Sequence, residues 1–435
     1  MTLRRYPAYK ESGTAWLGDV PQAWVVERLK RGFDLMKRPV LATDGNVTAF
    51  RDGQVTLRSN RRIDGFTEAD KEIGYQGIEP NDLVIHAMDA FAGAIGVSDS
   101  RGKSTPVYSV CRAHAGYEPR YYALTLRHIA LSGYITSLGK GVRERSTDFR
   151  WNDAQNVLVP VPPVDEQKAI LNYLDAQTAK IDALIGKQEQ LIETLAERRQ
   201  ALISHAVTKG LNPDVPMKDS GVAWLGNVPS HWAVTAMKRL LAIPITDGPH
   251  ETPDFFDEGV PFVSAEAVST GEIRFDKIRG HITEEEHARF SRKYFPKRDD
   301  IYVVKSGATT GVSAIVDTDV IFNIWSPLAA IRARSGVIPQ FLLNFIRSRE
   351  FQSAIELNWS YGTQQNIGMS TLGQLPVALP PTSEQSDISQ FLSIETSQIN
   401  ALSTKAREMI EVLKERRQAL ISAAVTGKID VGGLT

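Results

Sequence analysis

Few groupings in this 435-residue chain have the residue types and spacing of catalysis. Gly102-Lys103-Ser104 ends like a phosphate-binding loop, but that loop needs a glycine where Val97 stands, and Gly96 is one residue too far. Glu166-Gln167-Lys168 has the spacing of a metal-dependent nuclease. The Glu-Gln pair recurs as Glu384-Gln385 at a second helix start, however, where a capping role is simpler. The Pro-Asp pairs at Pro213 and Pro253 lack a well-placed Glu-x-Lys. No Asn-Pro-Pro-Tyr or Asp-Pro-Pro-Tyr occurs, so the amine-holding motif of an amino-methyltransferase is missing. The eight histidines are scattered without a ligand pattern, and the lone Cys111 excludes a disulfide framework or a cysteine zinc site. The chain is expected to be catalytically inert alone and to bind no cofactor or metal.

Two polar loops have binding chemistry instead. Lys140, Arg143, Arg145, Ser146 and Thr147 lie in one Gly-bracketed run, where Arg can read guanine bidentately and hydroxyls can contact base or phosphate. Tyr361, Thr363, Gln364, Gln365 and Asn366 stand at the corresponding place further on; Gln and Asn pair with adenine edges, and Tyr can stack. Each loop could equally be an ordinary polar turn before a helix. For Arg61-Arg62 and Arg292-Lys293, a solvated face is as good a reading as DNA contact.

These loops need elements to carry them. The chain is 42% hydrophobic and 23% charged, enough for real cores, and at about 150 residues per domain its length suggests roughly three units. No apolar run approaches the roughly 20 residues of a membrane span, no secretory signal is read at the start, and a reducing cytoplasm is expected. Fifty Lys+Arg against 51 Asp+Glu leave a net charge of −1, which opposes a uniformly basic nucleic-acid coat. The basic residues are local; in the first half they include Arg58, Arg61, Arg62, Arg101, Lys103 and Arg150.

A repeat organises everything. Ser12-Gly-Thr-Ala-Trp-Leu-Gly-Asp-Val-Pro-Gln-Ala-Trp24 returns as Ser220-Gly-Val-Ala-Trp-Leu-Gly-Asn-Val-Pro-Ser-His-Trp232. Pro162-Pro163-x-x-Glu166-Gln167 returns at Pro380, and Glu197-Arg-Arg-Gln-Ala-Leu-Ile-Ser204 returns letter for letter at Glu415. Such a long period indicates a duplicated two-part module rather than a solenoid. Between the markers the halves share one trace: Asn81-Asp82-Leu-Val-Ile with Gly93-Ala-Ile-Gly-Val97, and Asp299-Asp300-Ile-Tyr-Val-Val with Gly307-Ala-Thr-Thr-Gly-Val312. Both read as an acidic turn and two short strands, so each segment is α+β.

Two long helices follow the Pro-Pro junctions. Ile170, Leu174, Ile181, Leu184, Leu191, Leu195 and Leu202 recur in steps of three and four, with Gln177, Gln188 and Arg198 at the remaining positions. Ile388, Leu392, Ile399, Leu402, Met409, Leu413 and Leu420 repeat that register, with Ala406 and Arg416 between them. Sustained heptads predict a coiled-coil seam, and about 42 residues span roughly 63 Å. Each variable segment ends where a helix begins. The expected result is a dumbbell: two globular domains separated by two antiparallel helices in a pseudo-two-fold internal repeat. The expected boundaries are 1–161, 162–210, 211–379 and 380–428, with a tail at 429–435.

The three duplicated markers, covering essentially the whole chain, resemble the specificity subunit of Type I restriction-modification enzymes. The resemblance implies two target recognition domains, each reading one half of a split double-stranded DNA target, and loops in the position of 140–147 and 360–366 as DNA contacts. It implies helices that measure the unread spacer, and docking of two methyltransferase subunits and of motor-nuclease subunits. S-adenosylmethionine, ATP and Mg2+ would then sit on those partners. Unlike domains imply an asymmetric target. The alternative is a coiled-coil adaptor that scaffolds two partner proteins and reads no DNA.

Overall fold

The computed structural model describes residues 4–61, 72–138, 148–361 and 365–432. The chain divides into two compact units, residues 1–188 with 408–435, and residues 189–407. Each long helix, Val164–Lys209 and Thr382–Val425, contributes to both.

The first unit is built on a four-stranded antiparallel sheet in the order Phe33–Leu35, Tyr108–Ala113, Leu83–His86, Ile95–Val97. The second repeats it as Thr246–Asp247, Leu328–Ile331, Ile301–Val304, Ser313–Ile315. The paired traces seen in the sequence are therefore the two neighbouring strands at one edge of each sheet. The acidic turn before them is the same object twice. Asn81 and Asp299 adopt positive φ, at 70° and 71°, and the next carboxylate, Asp82 or Asp300, accepts the N–H of the residue three before it. Asn and Asp tolerate this conformation better than other side chains with a Cβ.

Divergence is concentrated in the segment that follows the first sheet strand. In the first unit it carries a hairpin, Val47–Ala49 with Val55–Leu57, and the pair Gln76–Ile78 with Gly102–Ser104. In the second it carries Val260–Val263, paired antiparallel to His281–Ile282 and parallel to Asn323–Ile324, and a helix, Glu284–Ser291, capped by the Thr283 hydroxyl.

A Pro-initiated helix covers each sheet, Pro119–Leu131 in one unit and Pro339–Ile346 in the other. Just before it lies the polar side chain that binds it to the long helix. The Gln167 amide accepts the Glu118 N–H at 2.9 Å and donates to the carbonyls of Gly116 and Pro162. Gln385 does the same with the Ile338 N–H and the carbonyls of Gly336 and Pro380. Both are buried. The Glu-Gln pair is thus a tie rather than a helix cap. Its glutamates take the flanks: Glu166 accepts from the Tyr6 hydroxyl, and Glu384 from the Trp232 indole at 3.1 Å, with His231 at 2.8 Å.

In the first unit the start of one long helix (Ile170, Leu171, Leu174) shares a core with the end of the other (Ile421, Ala424, Val425), and Asp182 meets Arg417 at 3.1 Å. In the second, Ile203, Ala206 and Val207 share a core with Ile388 and Leu392. Within each unit the two helices run in opposite directions. Gly210 and Gly427 end them with positive φ, at 79° and 70°. A Cβ on Gly427 would lie 2.4 Å from Pro21, so the close approach of the flank also requires glycine. Ile429 and Val431, placed in the tail by the sequence, are buried in the first unit's core.

The heptad register needs correction. Ile170, Leu174, Ile181, Leu195, Ile388, Leu392, Ile399 and Leu413 are buried, and Leu202 and Leu420 half-buried. Leu184, Leu191, Leu402 and Met409, however, are 46%, 42%, 51% and 48% exposed. The inward positions there are instead the half-buried Ile185 and Ile192 and the buried Ile410, while Ala406, already in the expected register, is buried. A straight helix drifts about 20° per heptad from a 3.5-residue repeat, so an extra step of four restores the buried face. The same slip moves the inward arginines from Arg198 and Arg416, which are exposed, to Arg199 and Arg417, whose Nε atoms are buried. Arg199 lies beside Arg347, whose guanidinium is lowered to about 10 by burial and then by Arg199.

Two outcomes follow from this packing. Gln167→Ala or Gln385→Ala strands one N–H and two carbonyls and should cost about 1–3 kcal/mol, read as a lower urea midpoint; an unchanged midpoint contradicts the tie. Cys111 is buried and burial pushes its thiol up, so iodoacetamide should alkylate it, by mass spectrometry, only after denaturation.

Candidate nucleic-acid interface

The polar loops come off the same edge of each unit by the same contact. In the first unit the Phe149 N–H donates to the Ala87 carbonyl at 3.2 Å, and Phe149 is buried. In the second the Ile367 N–H donates to the Lys305 carbonyl at 2.9 Å, and Ile367 is buried. Each acceptor directly follows a central sheet strand, Leu83–His86 or Ile301–Val304. An apolar plug thus fixes the chain just after each loop.

In the second unit the loop is a hairpin. Ser360–Tyr361 pairs antiparallel with Gln365–Asn366. The Gln365 carbonyl accepts from the Gly307 N–H at 3.0 Å and from the Thr310 hydroxyl at 3.3 Å, and Ser306 bridges to Asn366. The Gly307-to-Gly311 turn, read in the sequence only as a strand connection, is therefore the cradle of this hairpin.

Next to it sits a charge cluster that spacing did not suggest. Asp247 is buried at the end of its strand, with Lys293 on Oδ1 at 2.5 Å and Lys305 and His250 on Oδ2, each at 3.1 Å. Lys293 also donates to the Gly248 carbonyl, and the other His250 ring nitrogen meets the Ser326 hydroxyl at 3.2 Å. Gly248 has no room for a side chain: a Cβ would stand 1.9 Å from the Ile324 carbonyl oxygen. Burial works to raise the Asp247 pKa, but hydrogen bonds and charge from Lys293 and Lys305 bring it below the ordinary carboxylate value.

The first unit spends its cations differently. Arg61 pairs with Asp52 at 2.7 Å and lies over the Phe50 ring. Arg101 takes Asp44 and Glu79, Lys103 takes Glu72, and Arg150 takes Asp148. Arg38 holds the buried Asp82. Among the described residues, then, most basic side chains singled out in this half are held by carboxylates of the same unit. Arg58 reaches the Thr48 hydroxyl at 3.5 Å.

A family model described as the Type I restriction modification DNA specificity domain matches residues 244–412. The Escherichia coli EcoBI specificity subunit is 22% identical, over 81% of this chain and 74% of its own length. The EcoKI specificity subunit of Escherichia coli K12 is 20% identical, over 95% and 90%. A solved chain of a type I R-M system superposes with a TM-score of 0.69 at 17% identity, covering 93% of this chain and 98% of that one. The HsdS subunit of Thermoanaerobacter tengcongensis gives 0.54 at 18%, covering 94% and 98%. Residues 244–412 thus match a DNA specificity domain, and most of the chain is similar to Type I restriction enzyme specificity subunits and shares their fold.

Of the loop residues that the sequence put forward, Lys140, Arg143, Arg145, Ser146, Thr147, Thr363 and Gln364 lie outside the described residues. Gln365 and Asn366 form the returning strand of the hairpin and are exposed, and Tyr361 ends the outgoing one. Lys293 is half-exposed and is also a partner of Asp247. The Asp247 cluster could not have been read from spacing, because Lys293 and Lys305 come from stretches of chain separate from Asp247 and His250. Among the described residues, no group of three or more His, Cys, Asp or Glu is placed to hold a metal ion, and no helix is long and apolar enough to cross a membrane.

The Asp247 cluster carries a pH signature. Because its folded pKa is depressed, its stabilisation is complete above the unfolded value near 4 and is lost as pH falls through the folded value. Asp247→Asn should cost about 2–3 kcal/mol at pH 7 and flatten the decline of the urea midpoint between pH 5 and pH 3. Parallel pH profiles for variant and wild type would exclude it.

Proposed function

We propose that the two units read the two unlike halves of a split DNA target, the first through residues 140–147 and the second through the 360–366 hairpin. The observation that carries this reading is the matched docking of Phe149 on Ala87 and Ile367 on Lys305, which brings two chemically different loops off the same sheet edge. Arg143 and Arg145 suit guanine; Gln364, Gln365 and Asn366 suit adenine. The near-neutral net charge and the internally paired cations favour readout by a few loops, with partner subunits supplying part of the phosphate contact.

In this reading residues 1–161 and 211–379 are the target recognition domains, and 162–210 and 380–428 are spacer helices that set the unread gap. The helices and duplicated flanks seat two methyltransferase subunits, with motor-nuclease subunits completing the enzyme in the cytoplasm. S-adenosylmethionine, ATP and Mg2+ belong to those partners. Their constant surfaces account for markers that persist while the domains diverge.

Methylation mapping in cells expressing the whole system tests it. Arg143→Ala with Arg145→Ala should relax or abolish one half-site only, and Gln364→Ala with Gln365→Ala only the other. Removing seven residues from both helices in register should shorten the gap by about 10.5 Å, roughly three base pairs. An unchanged gap in an active enzyme would mean the helices do not measure it.

A further inference from the structure

The Asp247 cluster joins a buried carboxylate to an exposed ammonium group. Its carboxylate is buried, yet it holds Lys293, whose side chain is 51% exposed. Both carboxylate oxygens are engaged, Oδ1 by Lys293 and Oδ2 by Lys305 and His250. No free Asp247 oxygen therefore faces outward, while the ammonium groups retain unused N–H donors. One carboxylate against two ammonium groups is one charge positive, and Arg289 close by, held by Glu251 and Glu286, makes a set one charge negative. What suits a phosphate here is therefore the unused N–H donors and their place rather than net charge. The adjoining pocket, lined by Asp247, Gly248, Arg289 and Lys293 among others, is about 90 Å³. That is far below the roughly 300–1,000 Å³ of a small-molecule site, so it admits a single group rather than a whole ligand.

The place matters as much as the donors. Lys305 immediately precedes Ser306, which bridges to Asn366, and its carbonyl accepts the Ile367 N–H. The cluster therefore stands within a residue or two of the hairpin. We propose that Lys293 contacts a phosphodiester oxygen of the DNA strand that passes this hairpin, with Asp247 and Lys305 as the residues that position its ammonium group. This rests on the DNA-reading assignment of the hairpin. A side chain pinned by a buried carboxylate meets a phosphate with little rotamer entropy left to lose, and so fixes the register in which the neighbouring loop reads bases.

The test uses the specificity subunit assembled with its methyltransferase subunits, and fluorescence anisotropy on a duplex carrying the mapped target and on a scrambled duplex across a range of KCl. Lys293→Gln should weaken binding about 3- to 10-fold on both duplexes and make the slope of log affinity against log salt shallower by about 0.9, one phosphate's worth. Lys293→Arg should restore the slope. Asp247→Asn makes the subunit more positive, so bulk charge alone predicts tighter binding; the positioning role predicts weaker binding and a shallower slope in a protein that still melts cooperatively. A wild-type slope for Lys293→Gln, or tighter binding by Asp247→Asn, overturns the phosphate contact. If the wild-type assembly does not distinguish the two duplexes, the DNA-reading assignment itself fails. If it does and Lys293→Gln is unchanged, only the contact fails.

Discussion

A buried side-chain amide at the start of each long helix is the interaction on which the rest of the architecture depends. Gln167 and Gln385 each satisfy an N–H and two carbonyls that would otherwise be stranded where a Pro-initiated helix, a strand and a long helix converge. A buried polar group left unpaired costs far more than a paired one contributes, so the amide specifies a single arrangement of those three elements. Because the arrangement occurs twice, each long helix leaves its own unit in the same way. The flanks add a second tie through Glu166 and Glu384, although with different partners: a tyrosine in one copy, a tryptophan and a histidine in the other.

On that frame the two units differ where recognition can differ. The four-stranded sheet, its Asp-anchored turn and its covering helix are common to both, whereas the segment after the first strand and the loop before the apolar plug are not. Arg61, Arg101, Lys103 and Arg150 are paired locally with carboxylates of the first unit. The second unit also pairs its arginines locally, among them Arg274, Arg298 and Arg332, and adds two lysines round one buried carboxylate.

Much of this was legible beforehand, and what was missed has an identifiable cause. The duplicated markers announced the repeat, and Asn81-Asp82 and Asp299-Asp300 announced its strand-turn-strand cores, because local turn chemistry is written in adjacent residues. The coiled-coil register was read as an uninterrupted heptad and is not one. The misplacement of Leu184, Leu191, Leu402 and Met409 came from an α-helical period that does not divide seven, an error that accumulates with helix length. The Glu-Gln pair reads as a cap in the sequence because its partners, Gly116 and Gly336, lie far from it in the chain.

The sequence by itself determined the family resemblance, the duplication, the two long helices and the two polar loops, since each is carried by contiguous residues or by a repeated spacing. Only the tertiary structure decided which helical face is buried, that Gln167 and Gln385 are ties, that Phe149 and Ile367 dock alike, and that Asp247 gathers Lys293, Lys305 and His250. Those four side chains belong to stretches that meet only when the sheet and the segment beside it are assembled. Their charge complementarity exists in space and has no period along the chain.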